Sequence, residues 1–146
     1  MRVGAARKTY GIPYPTLYAV PGTVRHYSPD GLKNAAPDAP KHGDVITNEE
    51  AHAFNRIQRG HQNSLENIPV VMGLALVSWG FPIPSGFALI SYAMGRVFYF
   101  LGYSKTVESR NNLLTVLLTY PALFTLWGLA LATCVFLFLG VAPYSY

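Results

Sequence analysis

Arg59, Asn63 and Glu66, in the stretch FNRIQRGHQNSLE at 54–66, set a cation, an amide and a carboxylate at i, i+4 and i+7. On a helix those spacings share one face. A face of that kind suits a polar ligand carrying charges of both signs. The stretch opens an apolar run that continues to Phe81, so the polar groups stand at the mouth of a hydrophobic helix. Further on, Arg96, Tyr99 and Tyr103 recur at helical spacing, and Arg110 follows in a short charged loop.

The elements that must hold these groups are long helices. Thr47 or Asn48 is placed to cap the first, with Glu49 and Glu50 in its positive first turn. That helix is expected to run through the motif to Phe81 with a kink at Pro69, a span from 57 to 81. The stretch 80–85, GFPIPS, reads as a tight uncharged turn, and 85–103 as a second span. Residues 104–112 return Lys105, Glu108 and Arg110, and 113–141 makes a third span bent at Pro121. The first 53 residues read as a loop region. They open basic, become rich in Pro, Tyr and Gly, and have no sustained period between Thr23 and Asn48. Residues 54–146 form the helix bundle, ending in interfacial aromatics at Tyr144 and Tyr146.

Composition places this bundle in a membrane. Of 146 residues 51% are hydrophobic and 12% charged, about half the roughly 25% charge of soluble domains. No Asp, Glu, Lys or Arg lies between Glu66 and Arg96, and none follows Arg110. Met1 to Tyr18 has no apolar core of signal-peptide length. The net charge of +4 is spread along the entry region, which fits membrane-flanking cations rather than a nucleic-acid face. Lys and Arg gather before the first span and after the second, which puts the polar cluster near the cytoplasmic side. The single cysteine, Cys134, excludes a disulfide framework within the chain, and His26, His42, His52 and His61 fit no metal-ligand spacing, so no metal is expected.

The motif FNRIQRGHQNSLE, the segment GRVFYFLGY at 95–103, Arg110 and the opening ARKTYGIPYPTLYA together resemble the MAPEG superfamily of membrane glutathione transferases, nearest to the type-three microsomal branch. The resemblance covers most of the chain outside 22–48. It implies an all-α membrane helix bundle, trimeric assembly and glutathione as co-substrate held between neighbouring subunits. It assigns Arg59, Asn63 and Glu66, with His61 at a polar position, and then Arg96, Tyr99 and Tyr103, to binding glutathione. Arg110 matches the arginine that holds the glutathione thiolate. Asn67 stands where the leukotriene-C synthase branch has a tyrosine.

The residues suit that ligand chemically. Glutathione has two carboxylates, an ammonium and a thiol; Arg59 and Arg96 match the carboxylates, Glu66 the ammonium, and Asn63 and the tyrosines offer neutral hydrogen bonds. A guanidinium beside the thiol favours the thiolate below the ordinary thiol pKa of ~8.5. The thiolate would attack a lipophilic electrophile or reduce a lipid hydroperoxide entering from the bilayer. Plainer readings stand beside these: Arg59 and Glu66 as a structural ion pair, Tyr99 and Tyr103 as interfacial belt residues.

Family members have four membrane helices, and this chain opens where the first of them would finish, leaving three. Two functions follow as alternatives. One is a membrane-bound glutathione transferase or peroxidase of the endoplasmic reticulum or another organelle; the other is a non-catalytic accessory subunit of a larger membrane complex, docked through 22–48.

Overall fold

The computed structural model describes residues 3–26, 41 and 43–142. Its elements are helix α1 (Val3–Tyr10), helix α2 (Asn48–Val77), a 3-10 turn (Ser78–Gly80), helix α3 (Pro82–Lys105), a second 3-10 turn (Glu108–Asn111) and helix α4 (Leu113–Phe138). Among the described residues there is no strand, only one isolated antiparallel bridge between Val24 and Val45. The expected interfacial tyrosines 144 and 146, His42 and most of the 22–48 stretch lie outside the described residues.

Helix α2 starts as the sequence predicts. Thr47 is its N-cap and closes a capping box with Glu50: Glu50 N–H donates to Thr47 Oγ1, and Thr47 N–H donates to the Glu50 carboxylate at 2.9 Å. Pro69 lies inside the helix, where it supplies no N–H to the turn before it. The helix ends at Val77, four residues short of Phe81, in the 3-10 turn.

The second long helix differs from the expected 85–103. It begins at Pro82, because proline at the first helical position forfeits a donor that has no intrahelical acceptor there, and its fixed φ is already helical. The turn is therefore shorter than 80–85. A buried bond closes it, Ser85 Oγ to Ser78 Oγ at 2.8 Å. Helix α4, the third long helix, is capped by Asn112, whose Oδ1 accepts from Thr115 N–H at 2.9 Å while its Nδ2 reaches back to the Phe98 carbonyl at 3.3 Å. That side chain ties the loop to α3 as it starts α4. The helix stops at Phe138, three residues before the expected end, and Gly140 takes φ +68 just after it.

Helices α3 and α4 pack most closely. Gly95 faces α4 with no side chain, and a Cβ there would overlap Thr119 Oγ1; Ser91, four residues earlier, donates to the Leu118 carbonyl at 3.0 Å. The small pair Ser91 and Gly95 is thus a real helix contact. Gly128 on α4, by contrast, has open space around it. One apolar cluster, Val71, Ala88, Tyr92, Ala122 and Leu126, joins the three long helices.

Many of the other apolar residues of α3 and α4 face outward. On α3, Ile83, Phe87, Ile90, Met94, Val97 and Leu101 form an exposed stripe, and on α4 Phe124, Leu131 and Phe138 are at least two-thirds exposed. Water would penalise a surface of that extent, whereas hydrocarbon does not. Among the described residues α4 alone is both long and apolar enough to cross a membrane by length and composition, not three helices. Helices α2 and α3 have the length, 30 and 24 residues, but polar side chains interrupt them: His61, Gln62, Asn63, Glu66 and Asn67 in α2, and Arg96 in α3.

A second core binds the N-terminal segment to α2. Ala6, Ile12, Ala19 and Ile46 bury against Ala51, Phe54 and Ile57, so residues on both sides of 53/54 share one cluster. Arg7 is buried with them. Its guanidinium donates to the carbonyls of Pro13 at 3.2 Å and Thr16 at 2.6 Å and stacks on the Tyr14 ring. Asn55 pairs both ways with the Ala19 backbone, at 2.7 and 2.9 Å. Arg25, almost fully buried, forms an ion pair with Glu50. The Arg25 guanidinium, with the Thr47 donors, holds the Glu50 carboxyl well below the carboxylate range, at about 2.

Candidate functional site

The polar face of α2 and the facing stretch of α3 meet because Gly60 lets them. A Cβ on Gly60 would sit 3.1 Å from Tyr103 Cδ1 and 3.3 Å from Phe100 Cδ2. With no side chain there, α3 closes on α2 and brings its tyrosines beside Asn63. Arg96 bridges the two helices: its guanidinium donates to Asn63 Oδ1 at 2.7 Å and Ser64 Oγ at 3.1 Å, and lies 4.3 Å over the Tyr99 ring. Tyr99 in turn stacks on Tyr103, ring centroids 5.8 Å apart.

Two polar cavities share this junction. The outer one, about 330 Å³, is lined by Arg59, Asn63, Glu66, Tyr99, Tyr103 and Arg110, with Tyr18 and Gln62. Six of the eight site residues read from the sequence therefore converge on one space. Arg96 lines the inner cavity, about 340 Å³, which also includes Asn63, Tyr99 and Arg110 and runs between the three long helices. His61 stands elsewhere. It lines a larger groove on the α1 side with Arg7, Gln58 and Phe100, a groove that Arg96 also borders.

Arg59 and Glu66 make no ion pair with each other; among the described residues the one salt bridge is Arg25 with Glu50. Both side chains are exposed at the cavity edge. Arg59 rests 5.7 Å over the Tyr18 ring, and the Tyr18 hydroxyl donates to Gln62 Oε1 at 2.6 Å. Tyr99 and Tyr103 stack on each other inside the junction, Tyr103 buried, which is not the position of lipid-facing belt residues. Among the described residues no cluster of His, Cys, Asp and Glu could hold a metal ion.

Several lining residues were not singled out from the sequence. Tyr92 was within reach, since it extends the α3 spacing one turn back from Arg96. Gln62 was inside the motif. Tyr18, Thr115 and Thr119 carried no local signal; packing alone brings them to these cavities.

These features define an all-helical membrane bundle with a charged, tyrosine-lined site where its second and third helices meet the loop before the fourth. The sequence fits the MAPEG family over residues 1–132, and the chain belongs to that family. The family contains glutathione transferases and peroxidases and also non-enzymes. No solved structure matches the chain.

Proposed function

We propose that this protein is a membrane-bound glutathione transferase or peroxidase, akin to the type-three microsomal branch, acting on lipophilic electrophiles or lipid hydroperoxides. In this reading α2 and α3 cross the membrane beside α4, giving three spans in an organelle membrane such as the endoplasmic reticulum. Copies assemble as a homotrimer with glutathione at the subunit boundary.

The observation that carries the reading is the convergence of Arg59, Asn63, Glu66, Tyr99, Tyr103 and Arg110 on one cavity. Its charges are mixed, two guanidinium groups and one carboxylate, and among the described residues neither Arg59 nor Glu66 is in an ion pair. That set matches a small zwitterion with surplus negative charge. Arg59 would take a carboxylate, Glu66 the ammonium, and Asn63 and Tyr103 neutral hydrogen bonds. Arg96 also has carboxylate chemistry, but with Asn63 and Ser64 as its partners it acts here by fixing Asn63. Arg110 borders both cavities, so a sulfur beside its guanidinium faces the outer ligand and the space between the helices together. The cation favours thiolate over thiol; the thiolate then bonds to an electrophilic carbon, displacing its leaving group or adding to its activated double bond, or attacks a hydroperoxide oxygen, breaking the O–O bond to give the lipid alcohol and a glutathione sulfenic acid that a second glutathione converts to disulfide and water.

Titration calorimetry of the detergent-purified protein with glutathione tests this. The native protein is expected to bind, and Arg59→Ala and Glu66→Ala each to weaken binding about tenfold or more, because each leaves an opposite charge of the ligand unpaired. Absence of binding by the native protein would overturn the proposal and favour a non-catalytic accessory subunit.

A further inference from the structure

The chain is held on both sides of Tyr18 by contacts that do not use its side chain. Arg7 donates to the Pro13 and Thr16 carbonyls at 3.2 and 2.6 Å, and Asn55 grips the Ala19 backbone at 2.7 and 2.9 Å. Ile12 and Ala19 bury in the core shared with α2, and Tyr18 is not one of that core's residues. A segment already tied down at Thr16 and Ala19 does not need Tyr18 to dock it. The tyrosine instead lines the outer cavity beside Arg59 and Gln62.

There it touches both of them. Its ring centroid lies 5.7 Å from the Arg59 guanidinium, within reach of a cation–π attraction, and its hydroxyl donates to Gln62 Oε1 at 2.6 Å. Arg59 and Gln62 stand three residues apart on α2, so they are neighbours on one face. A glutamine amide has an acceptor end and a donor end. With its oxygen engaged by Tyr18, Gln62 keeps the two Nε2 hydrogens for a ligand, and these have no partner among the described residues. Without the hydroxyl the amide can present either end, and only the nitrogen end attracts an anion.

We infer that Tyr18 is a specificity-determining residue of the outer cavity: it steadies Arg59 and sets the Gln62 amide nitrogen toward the ligand, so that guanidinium and amide together clamp one carboxylate. This rests on the reading of the outer cavity as the glutathione site. Glu66, one turn beyond Gln62 on the same cavity, repels a carboxylate and so confines it to the Arg59 and Gln62 end. Glutathione has two carboxylates, and the test tells them apart.

Calorimetry of the detergent-purified protein compares glutathione with two analogues, its glycine monoethyl ester and γ-aminobutyryl-cysteinyl-glycine, which lacks the α-carboxylate of the glutamyl end. The native protein is expected to bind glutathione about tenfold or more tighter than the analogue without the clamped carboxylate, and the analogue that loses most names that carboxylate. Tyr18→Phe keeps the ring and frees the amide. It should weaken glutathione about three- to tenfold, the scale of one hydrogen bond, and leave the affinity for that analogue unchanged. Gln62→Glu keeps an acceptor for the Tyr18 hydroxyl but replaces the amide donors with a negative charge, so it should weaken glutathione further and again spare that analogue. Variants that weaken glutathione and both analogues alike, or change none of them, would overturn the inference while the glutathione reading stands. So would loss of hydrogen-exchange protection at the Ala19 amide in Tyr18→Phe, because the tyrosine would then be holding the segment. A native protein that binds no glutathione sinks both readings.

Discussion

Replacing Glu50 with Gln removes a charge from the pair that pins the N-terminal segment to α2. Arg25 there is 3% exposed and Glu50 27% exposed. The carboxyl pKa falls from 4.5 to about 2 in the folded protein, chiefly because Arg25 donates to it and secondarily through the Thr47 backbone and hydroxyl donors, against the opposing effect of burial. At about 1.4 kcal/mol per pKa unit the full shift corresponds to roughly 3 kcal/mol, and the partial exposure of Glu50 reduces this to about 2 kcal/mol. A depressed folded-state pKa gives stability that is complete above pH 4.5 and is lost as pH falls toward 2. Docking of the segment should therefore weaken across that window in the native protein. Glu50→Gln should be about 2 kcal/mol weaker at neutral pH, nearly flat between pH 5 and 2, and equal to the native protein at the acid end. Hydrogen exchange of the first turns of α2 and of the Ala19 amide, followed against pH, reads this directly. If Glu50→Gln retained the native slope between pH 4.5 and 2, another group would be titrating and the pair would not be what holds the segment.

Arg110→Ala should raise the pKa of bound glutathione's thiol and cut turnover, while binding affinity changes little, because the thiol supplies little of the grip. Thiolate absorbance against pH measures the first, and a native protein that binds glutathione but shows no thiolate below the free thiol's pKa would make Arg110 only a flanking cation. Gly102→Ala should destabilise the protein by about 1–3 kcal/mol, since a Cβ there would overlap the backbone carbonyl of Ser109 and crowd Asn112 Nδ2. Thermal unfolding in detergent checks it, and an unchanged midpoint would mean the loop before α4 is free to move away.

The helices and most of the outer cavity were open to local reasoning, because both depend on spacing along one chain. A capping box at Thr47 and Glu50, a proline at the first position of α3 and an asparagine cap at Asn112 are signals spelled by neighbouring residues. Arg59, Asn63 and Glu66 share a face of α2 for the same reason, and Tyr99 and Tyr103 share one of α3. His61, two residues from Asn63, points to the groove on the α1 side, as the helical turn between them requires.

The sequence by itself determined an all-helical membrane chain, its family, and a polar site near one end of the bundle, since composition, periodicity and the 54–66 motif are properties of the chain alone. Only the tertiary structure decided which side chains share a space. Gly60 sets how near α3 comes to α2, and Gly95 how near α4 comes to α3; those two distances shape the cavity between the three long helices. The Tyr18 ring reaches Arg59 from 41 residues away because Asn55 grips the Ala19 backbone beside it. Such contacts depend on distances between elements, and no spacing along the chain encodes those.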